Sequence, residues 1–444
     1  MMDRFFRLGE HNTSVKTEVI AGITTFAAMA YILVVHPDML AKTGMDQGAL
    51  LTATAIISAI GTLLMALLTN YPIAIAPGMG LNAFFTFGIC LGMNIPWQGA
   101  LGMVFWTGIL FIILSLTGIR KLIIKAIPDT LKIGIQAGIG LFIAVIGLQN
   151  SGIIVDHPAT LITLGPLSNG WLPNPASLAL LGTVFAVVLM VNRIPGAILM
   201  AILTITVVGL VIPGEKGTIT PVPDGILGLP DSIAPVFMQV DWLYPIRHWQ
   251  SAWLIIVTLL FVDLFDSMGT LIAVSRRANL VDGNGDLPKL SKALLADASA
   301  TSLGACLGSS PVTAYIESAT GIEAGGRTGL TSIVTAACFI IALFFAPLIL
   351  VIPAAATAPA LILVGILMLS GLRRLDWTDL SETAPCVLTT LLIPMSFSIA
   401  NGVALGCVSY CAVMVILGRW KKLHWLLIVL SLLFVLKFAF ASGG

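Results

Sequence analysis

The sequence predicts an all-α polytopic membrane protein: fourteen transmembrane segments in two inverted sets of seven. Three observations predict it. Of the 444 residues, 58% are hydrophobic and 10% charged, with a mean hydropathy of +1.03, which excludes a soluble enzyme. Lys and Arg gather on alternate sides of the apolar segments. Two apolar stretches, one in each half, are interrupted by Gly and Pro at corresponding places.

In order, the apolar segments fall at 18–36, 49–69, 75–92, 98–118, 130–149, 176–192, 195–212, 250–275, 291–307, 312–325, 328–349, 353–371, 384–400 and 402–418, with a further one at 423–440. At about 1.5 Å per residue, most are long enough to cross a bilayer. Segments three and ten are short or interrupted, and Asn401-Gly402 marks the expected turn between the last two. The connections 150–175 and 213–249 are rich in Pro and Gly and are expected to be ordered loops. The polar N-terminus has no signal-peptide core, so no cleavage is expected.

With the N-terminus inside and the segments alternating, 18 of the 22 basic residues fall inside. They group as Arg4, Arg7, Lys16; Arg120, Lys121, Lys125, Lys132; Arg193; Arg276, Arg277, Lys289, Lys292; Arg327; Arg373, Arg374; and Arg419, Lys421, Lys422. Lys42, Lys216 and Arg247 fall outside. So strong a bias supports both the segment count and the orientation.

An odd number of segments per half inverts the second half. The halves also echo each other. Phe26-Ala-Ala-Met29 runs on to Val35 as Phe265-Asp-Ser-Met268 runs on to Val274. Segment three carries AIAPGMGLNAFF around Pro77, and segment ten GSSPVTAYIES around Pro311. Segments five and twelve both open on Ile-Pro. Matched broken segments in inverted halves are the best sequence pointer to a transporter's midplane site.

Irregular backbone at membrane depth is tolerated only where protein buries it or a cavity needs it. Glu317, on the broken segment ten beside Pro311, Thr313 and Ser318, is therefore a ligand-site candidate. In segment eight, Asp263, Asp266 and Thr270 share one helix face, and acids inside a lipid-exposed span would cost several kcal/mol. No Lys or Arg is expected at their depth, which favours protonation or a moving cation in part of a cycle. Asn82 of segment three offers an amide beside backbone groups freed by Pro77, Gly78 and Gly80, with Phe84, Phe85 and Phe87 following. Two half-helix N-termini, a carboxylate, an amide and an aromatic ring such as Phe84 suit a planar, neutral, hydrogen-bonding solute. A bare anion suits them less, because Glu317 would repel it. Asp297 of segment nine either belongs to a proton path or locks segment nine to segment eight.

Other chemistries find little support. The six cysteines form no CxxC and lie in apolar segments, so neither disulfides nor a metal centre is expected. Gly283-Asn-Gly-Asp286 resembles a GxGD protease motif but sits in a charged loop. Asp282-Gly-Asn284-Gly-Asp286 opens like an EF-hand, but Leu287 stands where Gly is required. No nucleotide-binding motif is present, so no cofactor is expected, and a net charge of +1 suggests no nucleic-acid partner.

The motifs APGMGLNAFF, FVDLFDSMGTL and SPVTAYIESATGIEAGGRTGLTS resemble the AzgA-like branch of the nucleobase/cation symporter-2 family over nearly the whole chain. The resemblance implies a core domain (segments 1–4 and 8–11, residues 18–118 and 250–349) moving against a gate domain. The gate is segments 5–7 and 12–14, residues 119–249 with the periplasmic loop and 350–444 with the C-terminal helix; residues 1–17 form a cytoplasmic N-terminus. It implies short antiparallel strands in segments three and ten. By likeness, Asp263 and Glu317 hydrogen-bond a base, Asn82 is the segment-three asparagine, and Asp266 is a second segment-eight acid. Thr24 holds the place of Asp263 in the other repeat. The implied activity is proton-coupled purine uptake across a bacterial inner membrane, adenine first, with a second copy of the chain as a candidate partner. Guanine or hypoxanthine uptake, an anion transporter or channel, and an intramembrane hydrolase using Asp263 and Asp266 are the alternatives.

Overall fold

The structure, a computed structural model, describes residues 6–117, 127–169, 172–214, 217–223, 225–278, 280 and 287–440. Arg4, Arg120, Lys121, Lys125, Lys216 and the Asp282–Asp286 stretch lie outside the described residues. The chain is a multi-pass helical protein of two inverted seven-segment halves. Eight helices are long and apolar enough to cross a membrane, among them Gln47–Thr69, Trp97–Thr117, Asp129–Asn150 and Trp249–Arg277. The last has 29 residues, about 43 Å at 1.5 Å per residue, which exceeds the roughly 30 Å hydrocarbon core of a bilayer. Shorter apolar helices account for segments six, seven and thirteen.

Caps set several ends. Asp46 accepts from the Ala49 N–H at the start of segment two, and Asn70 ends it with left-handed backbone at φ 61°. Asn174 and Ser177 form a reciprocal capping box at segment six. The expected turn at Asn401-Gly402 is a correction: the chain turns at Ser396–Ser398 instead. Segment thirteen ends at Met395, Phe397 takes a φ of 47°, and Ser398 caps Ile399–Ile416 by accepting from the Asn401 N–H. Asn401 and Gly402 therefore lie in the first helical turn. The serine cap, not the Asn-Gly pair, satisfies the exposed N–H groups there.

Segment one also departs from a single continuous span. It is two helices, Val15–Met29 and Ile32–Ala41. At the join the ladder tightens: the Leu33 N–H reaches Ala30 and the Val34 N–H reaches Tyr31, each three residues back. Pro37 follows in the second helix, where it gives the Leu33 carbonyl no N–H.

The helices pack in two groups. Segments one, two, four, nine and eleven pack together, with segment eight on segment four and the segment-ten helix on segment one. Segments five, six, seven, twelve, thirteen and fourteen pack together in the other group, with the helix Trp425–Phe440 against segment fourteen. Segments five and twelve cross at paired glycines. A Cβ on Gly140 would stand 2.7 Å from the Gly365 carbonyl oxygen, so only hydrogen fits. Between the groups, the segment-three helix touches segment five, and segment eight touches segments five and fourteen.

Segments three and ten meet where their helices break. Ile75–Pro77 pairs antiparallel with Val312–Ala314, in the register Ile75–Ala314, Ala76–Thr313 and Pro77–Val312. The Gly78 N–H donates to the Pro311 carbonyl and the Tyr315 N–H to that of Ala74, extending the ladder at both ends. A two-stranded sheet has two open edges, which hydrocarbon does not tolerate. Here each edge is closed by one threonine. Thr62 of segment two donates to the Ile75 carbonyl and accepts its N–H, both at 3.0 Å. Thr301 of segment nine does the same for Val312, at 2.9 and 3.2 Å. The interval that separates Phe26 from Phe265 also separates Thr62 from Thr301, so the two halves use one device at one place.

Candidate functional site

After each strand the chain turns into a short helix. Met79–Ala83 begins at Gly78 and runs on as a π-helix over Phe84–Leu91, and Ser318–Glu323 begins at Glu317. The strand pair thus brings Asn82 and Glu317, far apart in sequence, to one crossing. Segment eight lies alongside it and supplies Asp263, Asp266 and Ser267.

Glu317 is half-buried, and its Oε1 accepts a 2.6 Å hydrogen bond from the Tyr31 hydroxyl. Tyr31 sits at the break in segment one, so that break aims a donor at the carboxylate. Tyr315 turns the other way and donates to the Pro77 carbonyl at 2.6 Å, tying the two broken segments together. Asp263 is fully buried. Its Oδ2 lies 3.4 Å from the Thr301 hydroxyl, whose proton is already engaged by Val312, and its Oδ1 has no partner. Asp297 accepts from Ser267 Oγ at 2.5 Å, and Ser267 in turn lies 2.7 Å from the Thr313 hydroxyl. Asp297 Oδ1 has no partner either. The acids form one electrostatic cluster: Asp263 feels Asp297 and Asp266, and Asp266 feels Glu317. Among the described residues none of the four joins an ion pair. Lys132 stands over the ring of Phe265, next to Asp266 in sequence, at 5.6 Å and pairs with Asp129.

Asn82 is fully buried and meets Ser310 Oγ at 2.5 Å. His36 bridges from Ser310, at 3.2 Å, to Thr54, at 2.7 Å. Three of the sequence candidates have other engagements. The Ser318 hydroxyl accepts the Ala74 N–H at 3.0 Å and so braces the strand crossing. The Thr24 hydroxyl donates back to the Ile20 carbonyl and joins no site residue. Phe84 is fully buried, its ring over Gly88 of its own helix, so a solute reaches it only after movement. Asp263, Asp266, Glu317, Asn82 and Asp297 are the candidates that the fold brings together.

Sequence reasoning missed Tyr31, His36, Ser310, Ser267, Thr62 and Thr301. The repeat offered a signal for two of them, because Thr62 and Thr301 stand at matching places. It also missed Glu18, buried at the start of segment one. Glu18 accepts from the Arg327, Thr328 and Thr331 N–H groups and from the Thr331 hydroxyl, capping segment eleven from outside. Glu323 pairs with Arg277 at 3.0 Å, and the Arg327 side chain bonds the Ile322 and Gly326 carbonyls.

Comparison with known proteins agrees with this architecture. Residues 16–405 match the family described as "Permease family". A putative permease of Methanocaldococcus jannaschii is 47% identical over 100% of this chain and 99% of its own length. The guanine/hypoxanthine permease PbuG of Bacillus subtilis strain 168 is 44% identical, over 99% of this chain and 100% of its own. The adenine permease AdeQ of Escherichia coli strain K12 is 41% identical, over 98% and 96%. Among solved structures, the transmembrane domain of the cyanobacterial bicarbonate transporter BicA superposes with a TM-score of 0.67 at 16% identity, covering 87% of this chain and 96% of that one. A murine solute carrier 26 anion transporter in the inward-facing state gives 0.62 at 14% identity, covering 90% and 68%. These two show the fold alone. On the family match and the full-length relatives, the chain belongs to the permease family, the nucleobase/cation symporter-2 transporters that its motifs resemble, and is a transporter rather than an enzyme.

Proposed function

We propose that the chain is a proton-coupled purine permease with adenine as its substrate. The observation that supports this reading is the crossing of segments three and ten, where Ile75–Pro77 pairs with Val312–Ala314, the short helices that follow carry Asn82 and Glu317, and Thr301 links Val312 to Asp263 of segment eight. Glu317 has one oxygen held by Tyr31. Asp263 has an oxygen without a partner. Carboxylate and amide groups beside a strand crossing fit a flat, hydrogen-bonding solute better than a bare anion. The relatives named adenine permease and guanine/hypoxanthine permease support a purine.

Protons are the proposed coupling ion. Asp266 and Asp297 accompany Asp263 and Glu317, and among the described residues none of the four joins an ion pair, which leaves a proton as a counter-charge that a carboxylate can take up and release. The group of segments one to four and eight to eleven acts as the core, and that of segments five to seven and twelve to fourteen as the gate. The core moves against the segment-five and segment-fourteen surfaces that segment eight now touches. The distribution of basic residues supports a cytoplasmic N-terminus, and the likeness to the permeases of Escherichia coli and Bacillus subtilis supports a bacterial cytoplasmic membrane.

Guanine/hypoxanthine uptake is the second reading, favoured by the 44% identity to PbuG beside 41% to AdeQ. The test is uptake of labelled adenine, hypoxanthine and guanine by cells lacking their own purine carriers, with and without a protonophore. Adenine should accumulate against its gradient and the protonophore should abolish that. Accumulation that survives the protonophore and follows sodium would replace the proton, and no purine uptake at all would overturn the reading.

A further inference from the structure

We propose that Lys42 is an outer latch: its ammonium joins the outer end of segment one to the outer end of segment five and so holds the core against the gate. The proposal rests on the core-and-gate reading of the transporter. Lys42 follows the helix Ile32–Ala41 as its C-cap, and Asn150 is the last residue of the helix Asp129–Asn150. Lys42 Nζ donates to Asn150 Oδ1 at 2.6 Å. The same ammonium stands over the Phe87 ring at 5.4 Å. Phe87 belongs to the π-helix Phe84–Leu91, which runs on from the short helix bearing Asn82. One cation thus touches segments one, three and five on the outer side, through a charge-assisted bond and a ring face.

Two features mark this bond as one made to break. An ammonium has only donors, so the Asn150 amide must turn its oxygen toward it. That leaves Nδ2, which is buried and has no partner. A buried donor without a partner is a cost carried while the latch is closed, and water entering an opened outer cleft removes it. The second feature is that Lys42 has another place to go. Asp38 stands four residues earlier on the same segment, the spacing at which an acid and a lysine are neighbours. Among the described residues Asp38 joins no ion pair, although its charge reaches Lys42. The ammonium therefore bypasses a carboxylate on its own body for a neutral amide on the other one. Parted from Asn150, it falls back on Asp38. The two arrangements exchange one partner for another, so a modest change tips the balance between them.

The nearby contact of segments three and five is apolar: a Cβ on Gly80 would stand 2.5 Å from Ile139 Cγ2. Apolar surfaces slide past one another at little cost, whereas a directed bond of 2.6 Å is either made or lost. Breaking it should populate the outward-open form while leaving Asp263, Glu317 and Asn82 as they are.

The test reads the exposure of Ile139, replaced by cysteine in a full-length chain whose six native cysteines are serine or alanine. Ile139 is 3% exposed and lies on the face of segment five that meets segment three. Right-side-out membrane vesicles, with each variant quantified, are treated with a membrane-impermeant thiol reagent, which reaches this depth only through an opened outer cleft. Lys42→Met should raise the labelling rate by about 3-fold or more, the scale of one exposed charged contact. Asn150→Asp gives the ammonium a carboxylate and should slow labelling. Exchanging the pair, Lys42→Asn with Asn150→Lys, rebuilds the bond with its ends reversed and should return the rate toward wild type. A fold that had merely loosened would not recover on exchange. Should Lys42→Met fail to reach the membrane, Asn150→Leu breaks the same bond from the gate side and should give the same rise. Unchanged or slower labelling in these two variants, faster labelling in Asn150→Asp, or an exchange no better than the single changes would each overturn the proposal. The labelling needs no substrate, so it judges the latch by itself. A wild type that carries no purine would instead sink the functional reading.

Discussion

Replacing Tyr31 with Phe removes one oxygen atom and should cost the carrier most of its affinity. The Tyr31 hydroxyl donates to Glu317 Oε1 at 2.6 Å, a short bond of the kind an ionised carboxylate makes. The ring stays, so its buried position at the break in segment one is still filled. Hydrogen bonds to charged groups contribute about 1.5–3 kcal/mol. At about 1.4 kcal/mol per factor of ten, losing this one corresponds to about a 10- to 150-fold change. With Oε1 held, Oε2 keeps one direction; without the hydroxyl the carboxylate turns freely and no longer meets the base in a fixed pose. The change should therefore appear as a raised KM for adenine, with a smaller fall in maximal rate, in initial-rate uptake at varied concentration. A double-mutant cycle with Glu317→Gln separates this from a general defect. If the hydroxyl acts through the carboxylate, the double variant should be little worse than Glu317→Gln alone. A KM within about twofold of wild type, a change too small for a charge-assisted bond, would refute the reasoning. So would full additivity in the cycle.

Three further predictions follow from the same contacts. Asp263→Asn should abolish adenine uptake, whereas the half-buried Asp266→Asn should keep ligand-induced thermal stabilisation yet transport poorly; the reverse order would exchange their roles. Glu18→Gln should lower the melting temperature of the detergent-solubilised protein, because an amide can offer an oxygen to only one side of the Arg327–Thr331 turn. The cost is about 1–3 kcal/mol for the unmatched N–H, plus about 0.3–1 for the lost charge at the helix start; an unchanged melting temperature would remove Glu18 as the cap. Thr62→Val and Thr301→Val should each destabilise by about 1–3 kcal/mol, since each leaves an N–H and a carbonyl of the central strands bare. A large loss at one site with none at the other would break the proposed equivalence of the halves.

The sequence by itself determined the membrane class, the segments, the inversion and the places where two segments break. Each of these is a local or periodic property: hydropathy over a span, charge beside it, Pro and Gly within it. It also singled out Asp263, Asp266, Glu317 and Asn82, because a polar group at membrane depth is conspicuous in any one segment. What the sequence could not weigh was which of the ordinary residues would face them. Tyr31, His36 and Ser310 resemble many other residues in the chain until segment one is laid against segments three and ten. Ser318 and Thr24 stood among the candidates until the fold gave their hydroxyls to the Ala74 N–H and the Ile20 carbonyl. The turn at Ser396–Ser398 was hidden for a related reason. An Asn-Gly pair and a serine cap are both turn signals, and the choice depended on which helix end needed its N–H groups satisfied. Hydrogen bonds between residues hundreds of positions apart leave no periodicity in the chain. Only the tertiary structure could therefore decide which buried donor meets which acceptor.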